Sequence, residues 1–383
     1  MKNICIIVDN PNNYECLTPL ISAIREDEQL CLSLITIHRH LQPEISLTYI
    51  TLETDTQLPG TCLKIGVAKG PGHDTLSGEH HDALYQALNT AKPDMAVVTG
   101  SSHAAFSAAV AASLNDIPVA HIHGGESEFG PWEEAYGLGI AKIAHLHFTS
   151  TETYRRRVIG FGEYHDRVFN VGALLANSKL EQNLPSKTDV YNKINLDQSQ
   201  QFIFISMTPD RKIGSRNEAL IAAVMDAASD PLFNRLTFVC QNPGPKGFGQ
   251  IMKRKMESYV SENPQRFCFV SPDTDIPGVM RYSAAVIGNT DDCVVEGAQY
   301  KTPVVCVGNR IKDRDNPGHM IQADMHKNDI KSALAKALCP DFKTRLLFLE
   351  SPFEQAGTPE RIKAVLKAYT PADTAAKLYF EDL

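Results

Sequence analysis

The sequence predicts an α/β protein built from two doubly wound, Rossmann-like domains. Short, nearly all-apolar runs alternate with helical patterns along the chain, as parallel strands covered on both faces do. The alternation breaks at a polar stretch, residues 177–200, and then restarts. The length, 383 residues, exceeds what one hydrophobic core usually organises. Alternation of this kind implies right-handed βαβ units, and such sheets take ligands at the carboxyl ends of their strands.

In chain order, "NICIIV" is a strand and "CLTPLISAIRED" the helix after it. "DMAVVTG" leads into "HAAFSAAVAASLND", "IPVAHIHG" into "WEEAYGLGIAKIAHLH", and "HLHFTS" into "TETYRRRVIGFG". "RVFNVG" closes the first half, and the polar stretch reads as a connector. "QFIFISMT", "LTFVCQN", "RFCFVS", "AAVIGN" and "TPVVCVG" are the strands of the second half. "ERIKAVLKAY" and "AAKLYFEDL" read as terminal helices.

Composition narrows the function. The formal net charge of −8 is spread along the chain, which favours solubility and argues against a nucleic-acid partner. A local group of Arg side chains and free backbone N–H groups still binds phosphate in an acidic protein. The nine cysteines are odd in number, scattered and without a Cys-x-x-Cys pair. They read as reduced thiols of a cytoplasmic protein, not as disulfides or metal ligands. The opening "MKNICIIVDN" is too short for a secretion signal, and no apolar run is long enough to cross a bilayer. Neither a G-x-G-x-x-G after the first strand nor a P-loop lysine motif is present. Dinucleotide redox chemistry and ATP hydrolysis lose their best signals, and no cofactor is expected.

Candidate site residues gather at strand ends. "TGSSHAAF" offers Ser101 and His103, with Ser102 suited to cap the following helix. "HIHGGE" offers His123 and Glu126 around two glycines that let the backbone approach a ligand. Glu133 and Glu134 follow at the start of a helix, where carboxylates also suit the dipole. His145 and His147 read as packing residues, and the spacing fits no zinc pattern. In the second half, "VIGNTDDCVVEGAQYKTPVVCVGNR" places Asn289 and Thr290 at a helix start, Glu296 one turn in, and Arg310 after the next strand. Two readings stand here: phosphate on the free N–H groups with ribose on Glu296, or ordinary capping by Thr290, Asp291 or Asp292 beside a surface Arg. Asp291 and Asp292 count against the first, because carboxylates repel phosphate. "CQNPGPKG" is either a plain turn or a turn whose Asn242 meets a base or sugar.

"HIHGGE", "EEAYGLGIAKIAHLHFTSTETYRRRVIGFGE" with "RVFNVG", "QNPG", "VIGNT…E" and "TPVVCVGNR…R…G" resemble the hydrolysing UDP-N-acetylglucosamine 2-epimerases, especially the sialic and legionaminic acid branch. The resemblance implies a GT-B-like fold, two Rossmann-like domains facing a central cleft that holds a UDP-sugar. It implies domains at 1–180 and 181–365, with a helix at 366–383 returning to the first. It implies a homodimer, no metal, and elimination of UDP across C1–C2 followed by water addition with inversion at C2. Asn242, Ser271, Asn289, Thr290, Glu296, Arg310 and Arg314 fall on the nucleotide side. Glu133 falls on a catalytic carboxylate position, and His123 stands where other branches have Glu.

The chain also departs from that pattern. "VDNPNN" replaces a Thr-Gly-Thr-Arg-like turn, with Pro11 at the Arg. Ser101 replaces a catalytic Asp, Gly137 an Arg, and Thr208 a diphosphate-binding His. One lost electrostatic partner in such a site costs about two orders of magnitude in rate. Arg211, Lys212, Lys312 and Arg314 are the cations available to compensate, and His103 or His123 the groups available for acid–base work. A changed reaction on another nucleotide sugar, such as glycosyl transfer or hydrolysis, and a non-catalytic binder are the competing readings.

Overall fold

The computed structural model describes residues 1–9, 11–41, 46–54, 63–68, 78–127, 131–176, 184–244, 247–271 and 274–370. The chain divides into two compact units. The first comprises Met1–Glu126, Gly130–Asn177 and Gln355–Leu383, and the second holds Ser178–Glu354.

The first unit is an eight-stranded sheet. It begins β1 (Lys2–Val8), α1 (Pro11–Arg25), β2 (Leu30–Leu41), β3 (Ser46–Thr54), β4 (Leu63–Ala68) and α2 (Gly78–Ala91). It continues β5 (Met95–Thr99), α3 (His103–Leu114), β6 (Val119–Ile122), α4 (Pro131–Ile143), β7 (Leu146–Thr149), α5 (Glu152–Gly160) and β8 (Val168–Asn170). The strand order is β4-β3-β2-β1-β5-β6-β7-β8. Along β1, Ile4, Ile6 and Val8 enter one apolar cluster while Cys5 and Ile7 enter the other. Both faces of this strand are therefore covered, as its unbroken apolar run predicts. The β2–β3 and β3–β4 pairs are antiparallel, an edge that the strand–helix reading of the sequence left out. "SLTYITLET" does not stand out as an apolar block; it alternates apolar and polar residues, a pattern suited to a meander edge strand.

The second unit opens with α6 (Lys187–Lys193) and then β9 (Phe202–Ser206). The polar stretch read as a connector therefore contains a helix. Its start is fixed by a capping box in which Ser186 and Asp189 bond each other's backbone, so local capping succeeds without a strong apolar stripe. There follow α7 (Arg216–Ala228), β10 (Thr237–Cys240), α8 (Gly247–Glu262), β11 (Phe267–Phe269), α9 (Ile276–Tyr282), β12 (Ala285–Gly288) and α10 (Asp291–Gln299). The unit ends with β13 (Val304–Val307), β14 (Met320–Ala323), α11 (Lys327–Ala337) and α12 (Pro340–Leu347). All its strands are parallel, in the order β11-β10-β9-β12-β13-β14.

The last described helix, α13 (Thr358–Ala368), packs in the first unit. Ile362 and Leu366 enter the β1 core. Thr358 donates to the Val171 carbonyl, and Lys367 pairs with Asp27 at 2.9 Å. The segment 371–383, part of the helix expected at 366–383, lies outside the described residues. No helix among the described residues is long and apolar enough to cross a membrane.

Candidate functional site

Each sheet has one place where the strand order reverses, and ligands in open α/β sheets bind beyond the carboxyl ends there. In the first unit the chain leaves β1 for β2 on one side and later fills β5 on the other. In the second, β10 and β12 flank β9 in the same way. The predicted residues collect at both points.

In the first unit β5 ends at Thr99, and Gly100 turns with φ +69. Ser101 is 8% exposed, and its Oγ has no hydrogen-bond partner. Ser102 caps α3, accepting from the Ala105 N–H at 3.0 Å, as its position after the strand predicts. His121 donates from Nε2 to the Gly100 carbonyl at 2.8 Å, which ties the end of β6 to the β5 turn. His123 follows with φ +63. A left-handed non-glycine residue is strained, and such strain persists where the surroundings impose it, often at functional sites. Its N–H bonds the Phe148 carbonyl at 2.9 Å, while its buried Nε2 has no partner. Glu126 lies 3.8 Å from His123 Nδ1, too long for a hydrogen bond, and accepts from Ser150 Oγ. It acts on the His123 side of the turn.

Helix α4 brings Glu133 to the same corner. Tyr136 packs edge-on against His103 with ring centres 5.3 Å apart. A Cβ at Gly137 would stand 3.2 Å from Ser101 Cβ. Glu133 precedes these residues by three and four positions and shares their helix face. His103 and Ser101 thus meet α4 at Tyr136 and Gly137, and Glu133 stands one turn before these on the same helix. Burial holds the His103 imidazole below its usual value, which favours its neutral form. His147 is fully buried 3.3 Å from Glu163, which also pairs with Lys142 at 3.0 Å. This anchors the far end of α4 and fits the packing reading of His147.

In the second unit the capping alternative fails at Thr290. It is the N-cap of α10 but makes no side-chain cap bond; its Oγ instead lies 3.3 Å from Ser206 Oγ and 3.2 Å from Cys293 Sγ. Thr290 therefore does not cap the first turn of α10 with its own side chain, and N–H groups at a helix start suit an anion. Asn289 accepts from the Thr208 N–H at 2.8 Å and donates to its carbonyl at 2.9 Å. It is a clasp between the β9 and β12 ends. Arg310 donates to the Asn289 carbonyl at 2.8 Å.

The repulsion expected from Asp291 is corrected by its partners. Arg314, 7% exposed, lies 3.1 Å from one carboxylate oxygen, and Arg310 lies 3.6 Å from the other. Asp291 thus pairs with both guanidinium groups beside the start of α10. Asp291→Asn is expected to tighten UDP binding several-fold in calorimetric titration; unchanged or weaker binding would contradict competition between this carboxylate and phosphate. Lys212 and Lys312 are exposed.

Glu296 is 4% exposed, and its Oε2 has no partner. Burial, then the Asp292 and Asp275 carboxylates, push its pKa well above the usual range. Ser271 Oγ and Thr274 Oγ1 stand 3.0 Å apart just before Asp275. Asn242 accepts from the Gly244 N–H at 3.1 Å, the plain-turn geometry.

Sequence reading missed His319, Ser206 and Gln241. His319 is fully buried and lies 3.0 Å from the Cys293 carbonyl, to which Nε2 donates, steadying the start of α10. Ser206 donates to Gln241 at 2.7 Å beneath Thr290. No local motif marks them, since strand pairing alone brings them together. Burial lowers the His319 pKa from 6.5 to about 4. Between these values the unfolded chain takes up a proton that the folded one refuses, so stability falls as pH drops from 6.5 towards 4. His319→Gln is expected to flatten this part of the curve of thermal midpoint against pH; an identical slope would refute it.

The described cysteines are free thiols, and burial pushes those of Cys5, Cys293 and Cys306 up to about 12. They are poor nucleophiles at neutral pH. No group of three or more His, Cys, Asp or Glu among the described residues is placed to hold a metal.

A family profile described as UDP-N-acetylglucosamine 2-epimerase matches residues 22–367. The GDP/UDP-N,N'-diacetylbacillosamine 2-epimerase (hydrolyzing) of Campylobacter jejuni is 26% identical, covering 100% of this chain and 99% of its own. The polysialic acid biosynthesis protein P7 of Escherichia coli is 27% identical over 86% of this chain and 84% of its own. Among solved structures, the UDP-GlcNAc 2-epimerase from Neisseria meningitidis bound to UDP-GlcNAc superposes with a TM-score of 0.75 at 15% identity, covering 95% of this chain and 99% of that one. That likeness shows the fold, a GT-B-like pair of Rossmann units.

Proposed function

The chain belongs to the UDP-N-acetylglucosamine 2-epimerase family, and from that premise we propose that it is a hydrolysing 2-epimerase of a UDP-linked 2-acetamido sugar. The second unit holds the nucleotide, and the first carries the proton transfers. The observation that supports this most is the buried, unpartnered Oε2 of Glu296 in the helix whose N-cap, Thr290, makes no side-chain cap bond. A buried polar atom without a partner is costly and rare in native proteins. A ribose hydroxyl supplies the missing donor, the α10 N–H groups meet the diphosphate, and Arg310 and Arg314 exchange Asp291 for phosphate oxygen.

The chemistry then follows. A base takes the C2 proton, the C2–H electron pair forms C1=C2, and UDP leaves with the C1–O pair. Water adds at C1, and a proton returns to the opposite face of C2, giving the free sugar inverted there. Glu133 returns the proton. His123, held by the strained turn and flanked by Glu126, accepts the proton of the adding water; Ser101 and His103 line the sugar side. Each such group contributes about 10²–10⁴-fold. The C. jejuni relative, named for a diacetylated sugar and aligned end to end, supports a substrate with a second acetamido group beside UDP-N-acetylglucosamine.

Proton NMR in D₂O with UDP-N-acetylglucosamine and UDP-N,N'-diacetylbacillosamine tests this. The expected products are UDP and a free sugar that is inverted and carries deuterium at C2. A sugar that keeps its C2 proton and configuration would mark simple hydrolysis, transfer only with an added acceptor would mark a glycosyltransferase, and binding without turnover an inactive binder.

A further inference from the structure

We infer that Gln299 is a positioning residue of the nucleotide site, one that holds the Glu296 carboxylate in place for the ribose; this rests on the reading above. Gln299 ends α10, one turn beyond Glu296. It is 7% exposed, and neither its Oε1 nor its Nε2 has a hydrogen-bond partner among the described residues. A side-chain amide offers two N–H donors and a carbonyl with two lone pairs, and burying one that makes no bond is costly and rare. Packing alone does not call for it, because an apolar side chain of the same length fills the same space without that cost.

The helix directs this amide towards Glu296. Residues three apart share a helix face, and helical side chains lean towards the amino end, over the preceding turn. The turn before Gln299 carries Glu296, whose Oε2 is likewise buried and unpartnered. The backbone under Gln299 is fixed. The Tyr300 N–H bonds the Glu296 carbonyl at 2.8 Å and the Thr302 N–H bonds the Gly297 carbonyl at 3.0 Å. Thr302 Oγ1 donates to the Met280 carbonyl of α9 at 3.3 Å, which ties the end of α10 to its neighbour.

Glu296 has use for such a neighbour. Burial and the Asp292 and Asp275 carboxylates disfavour its charged form. An amide serves either state of the acid: Nε2 donates to the carboxylate, and Oε1 accepts from the neutral acid. Each carboxylate oxygen has about two acceptor sites, so Gln299 and a ribose hydroxyl share the group when the nucleotide binds. Gln299 then sets the angle at which Glu296 meets the ribose, without touching the ribose itself.

The test is calorimetric titration of wild type and Q299M with UDP and with 2′,3′-dideoxy-UDP, which lacks both ribose hydroxyls. Methionine nearly matches glutamine in length and carries no amide, and the thermal midpoint serves as the control for folding; should Q299M fold poorly, Q299L takes its place. Wild type is expected to prefer UDP by about tenfold or more, the worth of a hydrogen bond to a charged group. Q299M is expected to bind UDP about tenfold more weakly and dideoxy-UDP within about twofold of wild type, so that the preference collapses. A Q299M affinity for UDP within about twofold of wild type overturns the assignment alone, and so does an equal weakening of both ligands, which marks a merely structural residue. A wild type that binds both ligands equally takes Glu296 off the ribose and overturns this assignment, while leaving the diphosphate site standing. A wild type that binds no UDP overturns the function reading as well.

Discussion

Gly125→Ala is expected to lower the thermal midpoint by roughly 6–12 °C, from a loss on the order of 3 kcal/mol. Two separate costs add. Gly125 has φ +77, where an L-residue costs about 1–2 kcal/mol. A Cβ there would also stand 2.6 Å from the Tyr154 carbonyl oxygen and 2.8 Å from Val158 Cγ2. The first neighbour is backbone of α5 and cannot swing away, so the turn or the helix must shift, at about 1–3 kcal/mol. Gly100 is the control. It has φ +69 but nothing within 4 Å of its Cβ position, so Gly100→Ala meets only the conformational cost. If Gly125→Ala melts within about a degree of Gly100→Ala, the close approach of the "HIHGGE" turn to α5 is not as drawn. Since Arg157 also bonds the Gly125 carbonyl at 2.8 Å, a displaced turn would move His123 and slow turnover too.

Glu133→Gln carries the largest effect expected on activity. The substitution keeps the shape of the side chain and its place in the first turn of α4 but removes the exchangeable proton. Loss of a general acid costs about 10²–10⁴-fold. In the reaction proposed above, Glu133 returns a proton to C2 and so acts after UDP has left. Glu133→Gln is therefore expected to make inverted sugar at least 100-fold more slowly while the unsaturated 2-acetamidoglucal accumulates, seen by NMR as a vinylic proton signal. Unchanged formation of inverted sugar would remove Glu133 from the chemistry. Equal loss of UDP release and sugar formation, with no glucal, would move it to the first step.

Much of the fold was legible because its signals are local. The apolar runs at 3–8, 95–99, 202–206 and 285–288 are strands central enough to be covered on both faces, and such strands need no partner to be recognised. The meander edge at 46–68 carries weaker patterning, and α6 depends on a capping box of two side chains. The positions of Ser101, His103, His123 and Glu133 at strand ends and helix starts could be read because such junctions announce themselves. What could not be read is set by packing across the sheet. The sequence offers Asn289 as a ligand contact but gives no sign that it also clasps the Thr208 backbone. Asp291 resembles an obstacle to phosphate until Arg310 and Arg314 are seen around it.

The account depends on the second unit being a nucleoside-diphosphate site. Titrating the protein with UDP in a calorimeter tests that most directly. A saturable heat is expected, with one UDP per chain and a Kd below about 1 mM, equivalent to more than about 4 kcal/mol. Absence of any heat with UDP at several times that concentration would contradict the site at Thr290, Glu296 and Arg310, and with it the reaction proposed for the chain.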